Sequence, residues 1–155
     1  MKLAIMCGLP GSGKSTFCNE WFGKYITVCP DKIRLALHGQ QYVKELEPQI
    51  WKIVEYTVSV LLESGNSVVI DATNVHEWGR KKWIDMADKF GIPLNIFVMD
   101  TSKEICIERD KQRKASVGVE VISRMAKDFV MPSKSEGNVF IWVVNPDTRE
   151  MEELL

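Results

Sequence analysis

Gly8-Leu9-Pro10-Gly11-Ser12-Gly13-Lys14-Ser15 decides the fold. The stretch fits G-x-x-x-x-G-K-[ST], a phosphate-binding loop. Its setting fits as well: Leu3–Cys7 ahead of it reads as a short apolar strand, and Lys14–Phe22 behind it as a helix. Gly8, Gly11 and Gly13 let the backbone curl so that its N–H groups, with that of Ser12, converge on an anion. The following helix adds the positive end of its dipole. Lys14 is placed to reach the β- and γ-phosphates of a nucleoside triphosphate, Ser15 to offer its hydroxyl to Mg²⁺, and Thr16 to join the nucleotide-binding set. An ordinary glycine-rich turn would leave the strand–loop–helix order unexplained.

The 155 residues amount to one domain with room for a substantial core. A hydrophobic share of 45% and a charged share of 26% are those of an ordinary soluble globular protein. The net charge of −1 carries no global basic signal, so a nucleic-acid partner must be met by a local basic surface. Cys7, Cys18, Cys29 and Cys106 show neither a C-x-x-C pair nor a His at metal-ligand spacing, and read as free thiols in a reducing cytosol. Met1 leads directly into the first strand without a signal peptide. No apolar run approaches the ~20 residues of a membrane helix. A cytoplasmic location with no membrane partner is expected.

Strand and helix patterns alternate along the chain. Further strands are expected at Tyr25–Cys29, Ser67–Asp71, Leu94–Asp100 and Asn138–Val144, with the nearly continuous apolar runs of a parallel sheet covered on both faces. Further helices are expected at Pro48–Glu63, His76–Phe90, Ser102–Lys114 and Glu120–Val130, with Gly65 and Gly91 as stop signals. A weak helix is expected over Asp147–Leu155. The pattern predicts an α/β three-layer sandwich with a five-stranded parallel sheet. Gly39–Leu46, Ala115–Val119 and Met131–Gly137 read as surface loops.

In an open parallel sheet, ligands bind beyond the carboxyl ends of the strands. Asp31, in Cys29-Pro30-Asp31-Lys32-Ile33-Arg34 after the second strand, therefore shares a rim with the phosphate loop. On a helical turn Asp31 and Arg34 share a face. A carboxylate there suits proton removal from an attacking hydroxyl, and a guanidinium suits an anionic part of the acceptor. The alternative is a helix-capping Asp31 beside a solvated Arg34. Asp71 closes Ser67–Asp71 as the acid of a Walker B strand, which supports Mg²⁺. Asp71-Ala72-Thr73-Asn74 is not D-x-x-G and no N-K-x-D is present, so a GTPase switch is not indicated. Asn74 also suits a cap for the next helix, and Arg80-Lys81-Lys82 a solvated helix face.

Arg109 and Arg113 stand at i and i+4 and are expected on one helix face, ahead of the pliable Ala115-Ser116-Val117-Gly118. This reads as a lid over about residues 109–125. Arginines closing on a γ-phosphate stabilise transition-state charge, and closure excludes the water that would hydrolyse it. Pairing with Glu108 is the competing structural role. Trp51 and Trp78 sit at helical positions where packing competes with stacking on a base. His38 and His76 read as surface or capping residues.

Taken together, GLPGSGKST, PDKIR, VVIDATN with Arg80 downstream, ERDKQR and Glu136-Gly137 resemble the P-loop kinase family that includes phage and bacterial polynucleotide 5′-kinases. The resemblance covers nearly the whole chain and is strongest to bacterial RNA-repair kinase domains from Val68 to Arg113. It implies an adenylate-kinase-like core, ATP as phosphate donor, Mg²⁺, and a nucleic-acid 5′-end as acceptor; no protein partner is implied. By resemblance, Lys14 and Ser15 take the phosphate and Mg²⁺ contacts, and Asp31 is the general base. Arg34 grips the phosphate next to the attacking hydroxyl, with Asn74 and Arg80 joining it in the acceptor set. Arg109 and Arg113 close over the ATP phosphates, and Asn145 of Asn145-Pro146 lies where relatives pack adenine.

These motifs specify phosphate transfer to a hydroxyl better than they specify the acceptor. The leading expectation is a single-domain polynucleotide 5′-hydroxyl kinase, residues 1–155, with Asp31, Lys14 and Arg113 catalytic. A nucleoside, sugar or antibiotic acceptor is the alternative. A nucleotide-driven switch module is a third reading, against which the missing D-x-x-G speaks.

Overall fold

Leu3, Ala4, Ile5, Met6 and Cys7 are all buried, because the strand they form, β1 (Leu3–Cys7), carries a helical layer on each face. Leu3, Ile5 and Cys7 join a core with residues of α3 (Glu47–Glu63) and α4 (Glu77–Lys89). Ala4 and Met6 pack with Phe17 and Cys18 of α1 (Lys14–Trp21) on the other face. A strand covered twice has no solvated side to write in polar residues, hence the continuous apolar run. Each aliphatic side chain fully buried this way contributes about 1.5–3 kcal/mol.

The computed structural model describes residues 1–155. β1 lies at the centre of a sheet with β2 (Ile26–Val28), β3 (Val68–Ile70), β4 (Leu94–Met99) and β5 (Val139–Val144), in the order β2-β3-β1-β4-β5. All four pairings are parallel, with Leu3 opposite both Val68 and Leu94. The three-layer α/β expectation therefore holds. The strand count is corrected by one: β6 (Met151–Glu153) adds an antiparallel edge to β5, with Trp142 opposite Glu153.

That strand replaces the helix expected over Asp147–Leu155. The Asn145 Oδ1 accepts the backbone N–H groups of Asp147 at 2.9 Å and Thr148 at 3.1 Å, and Arg149 takes a positive φ of 65°. An Asn that folds the chain onto its own side chain favours a turn over a helix. The turn sends the last residues back along β5.

Three helices complete the chain: α2 (Pro30–His38), α5 (Lys103–Lys111) and α6 (Val119–Lys127). Pro30 opens α2 at its first turn and Gly39, at φ 72°, closes it. α5 stops three residues short of the expected Lys114, for a reason that lies in Asp110. The loops at 39–46 and 131–137 each contain a single helical turn, Lys44–Leu46 and Lys134–Glu136. No helix is long and apolar enough to cross a membrane. The order places the carboxyl ends of five parallel strands on one rim, flanking the loop that leaves β1.

Candidate functional site

The 8–15 loop is held from both sides. The Gly8 N–H donates to the Thr73 carbonyl at 2.9 Å, and the Thr101 hydroxyl donates to the Ser12 carbonyl at 2.9 Å. Gly11 has φ 82°, and a Cβ there would lie 2.5 Å from the Cys106 carbonyl of α5, so only glycine fits both the conformation and the approach. Gly13, at φ 99°, is the last residue before α1. The Lys14 ammonium curls back onto the loop, donating to the carbonyls of Gly8 at 3.0 Å and Leu9 at 2.6 Å. Burial holds Lys14 below the ordinary lysine pKa; the Asp71 charge opposes that shift, and Arg113 adds to it. An anion bound in the loop gives this ammonium the counter-charge that two neutral carbonyl oxygens do not.

The Ser15 hydroxyl donates to Asp71 Oδ2 at 2.6 Å, joining the first turn of α1 to the end of β3. Asp71 is 9% exposed. A hydroxyl and a carboxylate are hard oxygen donors of the kind that Mg²⁺ takes. Thr16 is exposed on the same turn.

On the neighbouring strand, the Asp71 N–H donates to the Val28 carbonyl at 3.0 Å, which keeps the ends of β2 and β3 level. α2 starts just beyond. The Cys29 thiol between them has its pKa raised by burial, and both the Asp71 and Asp31 charges push it the same way. The Asp31 side chain is 72% exposed and accepts from Arg34 Nη1 at 2.5 Å. Cys29, not Asp31, stands at the N-cap of α2, and Asp31 lies in the first turn. Nor is Arg34 solvated. Its Nε and Nη2 reach the two Glu47 oxygens at 2.7 Å each, both side chains being largely buried. Hydrogen bonding to Glu47 leads the causes that raise the Arg34 pKa, ahead of the opposing burial. The Trp51 ring stands 6.0 Å from the guanidinium, with the Lys82 ammonium 3.8 Å from the same ring centroid. Trp51 is thus engaged by the protein's own cations.

Arg109 and Arg113 do not lie on one continuous helix. α5 ends at Lys111, because the buried Asp110 carboxylate captures the Ser116 hydroxyl at 2.6 Å and the N–H groups of Val117 at 3.1 Å and Gly118 at 3.0 Å. This clasp turns the chain from α5 into α6. Burial pushes the Asp110 carboxyl up, but these hydrogen bonds and Arg113 outweigh it and hold it below the usual value. Glu108 pairs with Lys111, not with the arginines. Arg113 stands half-exposed 3.9 Å from Asp110. Arg109 approaches the loop, 3.8 Å from where a Gly13 Cβ would lie, and its other side meets Asp147 at 3.4 Å. The turn containing Asn145 is thereby brought beside α5.

Two expected acceptor residues are corrected. Arg80 is fully buried, its guanidinium forked onto Glu136 at 2.7 and 2.8 Å, so it is neither a solvated face nor presented to a substrate. Asn74 is 8% exposed and spends its amide on Met6 and Ala72 carbonyls and on the Trp83 indole. Of the basic run, Lys81 alone is well exposed, paired with Asp85. Trp78 is 75% exposed and stacks on His76 with ring centroids 5.3 Å apart. Sequence reading missed Glu47 and Asp110. Nothing local marks Glu47, which meets Arg34 from 13 residues away. Asp110 was hidden inside an apparently unbroken helix.

The family described as AAA domain matches residues 3–132. The bifunctional polynucleotide phosphatase/kinase of Schizosaccharomyces pombe is 27% identical over 141 residues, covering 88% of this chain and 31% of that protein. The chain thus spans about a third of the length of this curated relative. A chain of the Pnkp1/Rnl/Hen1 RNA repair complex superposes with a TM-score of 0.71 at 27% identity, covering 82% of this chain and 43% of that one. A sugar kinase of Janibacter superposes with a TM-score of 0.69 at 13% identity over 96% of this chain and 87% of that one, a likeness of fold.

Proposed function

The chain belongs to the AAA domain family, and on that premise we propose that it transfers the γ-phosphate of ATP to the 5′-hydroxyl of a polynucleotide. The observation that carries the reading is Asp31. It is an exposed carboxylate, held by Arg34 at 2.5 Å, on the rim where the phosphate loop opens. A switch or a simple hydrolase has no evident use for such an acid at the end of β2, two strands over from β1. In the proposed reaction Asp31 takes the proton of the attacking hydroxyl as its oxygen bonds to the γ-phosphorus and the bond from that phosphorus to the β,γ-bridging oxygen breaks, releasing ADP. Arg34, anchored by Glu47, presents its Nη1 edge beside Asp31 to the phosphate that follows that hydroxyl. Lys14 leaves its carbonyl partners for the β- and γ-phosphates, and Arg109 closes from α5 and Arg113 from the turn after it. Mg²⁺ held with Ser15 and Asp71 would neutralise charge across the β- and γ-phosphate oxygens. The nucleic-acid acceptor draws on the likenesses to the Schizosaccharomyces pombe polynucleotide phosphatase/kinase and to a chain of an RNA repair complex.

The test is phosphorylation of a 5′-hydroxyl oligonucleotide by wild type and by Asp31→Asn, with nucleosides and sugars as parallel acceptors. Asp31→Asn is expected to lose about 10²–10⁴-fold in turnover while still binding ATP. Turnover on the oligonucleotide should fall steeply with salt, since phosphate contacts release counterions. Undiminished turnover in Asp31→Asn overturns the base assignment. Transfer to a sugar or nucleoside but not to the oligonucleotide moves the acceptor to the small-molecule class.

A further inference from the structure

We propose that Arg80, with Asn74 and Glu136, is a positioning residue for nucleotide binding: a buried strut that fixes where the phosphate loop leaves β1. The proposal rests on the nucleotide-binding reading of residues 8–15. The Arg80 side chain is 0% exposed and that of Glu136 4%. Arg80 donates from Nε and Nη2 to Glu136 at 2.8 and 2.7 Å, and from Nη1 to the Asn74 carbonyl at 2.9 Å. Burying an ion pair so completely is seldom better for stability than apolar packing of the same volume. What the pair defines is geometry.

That geometry is passed to the loop through Asn74. Asn74 has a φ of 45°, which non-glycine residues seldom adopt. Its Nδ2 donates to the Met6 carbonyl at 2.7 Å, and its Oδ1 accepts from the Trp83 indole at 3.3 Å. Its carbonyl, already bound by Arg80, also accepts from the Cys7 thiol at 3.4 Å. One residue earlier the Thr73 carbonyl receives the Gly8 N–H, and at the head of the same turn Asp71 receives the Ser15 hydroxyl. Both ends of the 8–15 loop therefore hang on residues 71–74, and Arg80 holds that turn. The chain leaving α6 is tied to the same place: the Val130 N–H donates to the Val75 carbonyl at 2.9 Å, and Glu136 accepts from the Ser133 N–H at 3.1 Å.

Arg80→Lys removes the fork while keeping the charge. Glu136→Gln keeps one of the two acceptor oxygens and is the milder variant. Binding of a fluorescent ATP analogue is measured directly, beside the melting temperature and the KM for a 5′-hydroxyl oligonucleotide. Residues that orient a site from behind typically cost about 10–100-fold, so the analogue Kd is expected to rise at least about tenfold for Arg80→Lys, and less for Glu136→Gln, with acceptor KM unchanged. A lower melting temperature with wild-type analogue affinity in the folded variants marks a purely structural pair and overturns the proposal. A raised acceptor KM with unchanged analogue Kd also overturns it, returning Arg80 to the acceptor. Should Arg80→Lys melt below the assay temperature, Trp83→Phe, which removes the indole bond to Asn74 together with some core volume, takes its place, with a raised analogue Kd and an unchanged acceptor KM expected. A wild-type chain that does not bind the analogue overturns the nucleotide reading itself, and the strut with it.

Discussion

Glu47→Gln separates two roles for the carboxylate behind Arg34. The native pair makes two charge-assisted hydrogen bonds at 2.7 Å, between side chains 11% and 15% exposed. The amide keeps one acceptor oxygen and turns an N–H₂ group toward the other Arg34 nitrogen. One bond to a charged group is lost, worth about 1.5–3 kcal/mol. Asp31 remains as a counter-charge at 2.5 Å, so Arg34 is not stranded, and the expected loss of folded stability sits near the lower end, at about 1–2 kcal/mol. With the fork broken, the guanidinium is free to swing with Asp31. If about 1.4 kcal/mol of its orientation is lost, acceptor KM rises about tenfold. ATP is met by a different set of residues, so its KM is expected to stay put. Steady-state phosphorylation of a 5′-hydroxyl oligonucleotide, varied in each substrate, reads both constants, and a urea melt reads stability. A fall in acceptor KM would refute the reasoning, because Glu47 would then be a competitor for Arg34 and not its brace.

Gly11→Ala places a methyl group 2.5 Å from the Cys106 carbonyl in a backbone conformation of φ 82°. The left-handed strain alone is about 1–2 kcal/mol, and the obstacle is helix backbone that cannot turn aside. Weaker nucleotide binding by calorimetry is expected, and wild-type affinity would contradict the close approach of α5 to the loop. The Asp110 clasp should open in acid. Its folded carboxyl titrates below the unfolded one, so its stabilisation is complete above the unfolded pKa of about 4 and is lost as pH falls through the folded value. Amide exchange at Val117 and Gly118 should speed up over that window before the β-sheet amides respond. Protection that persists until global unfolding would show that the clasp does not hold the turn.

The elements that could be read from sequence are those whose cause is local. A strand buried on two faces writes itself as Leu3–Cys7, and the 8–15 loop needs its glycines where the chain bends, so both were legible. Asp31 was legible because the end of a parallel strand fixes its rim before any side chain is placed. Arg80 failed for the opposite reason. Beside Lys81 and Lys82 on an amphipathic helix it has the look of a solvated charge, and what removes it from water is Glu136, 56 residues away. Glu47 and Asp110 escaped likewise, one through a partner on another helix, the other by diverting a helix that propensity alone would continue. The C-terminal helix was lost to a single Asn that folded back on two N–H groups. A motif thus states which chemical groups a reaction needs. Whether a given arginine meets substrate or holds the frame depends on where a distant carboxylate arrives. In this chain Arg34 is forked onto Glu47 and reaches the exposed Asp31, and Arg80 has only Glu136 and the turn that carries the loop.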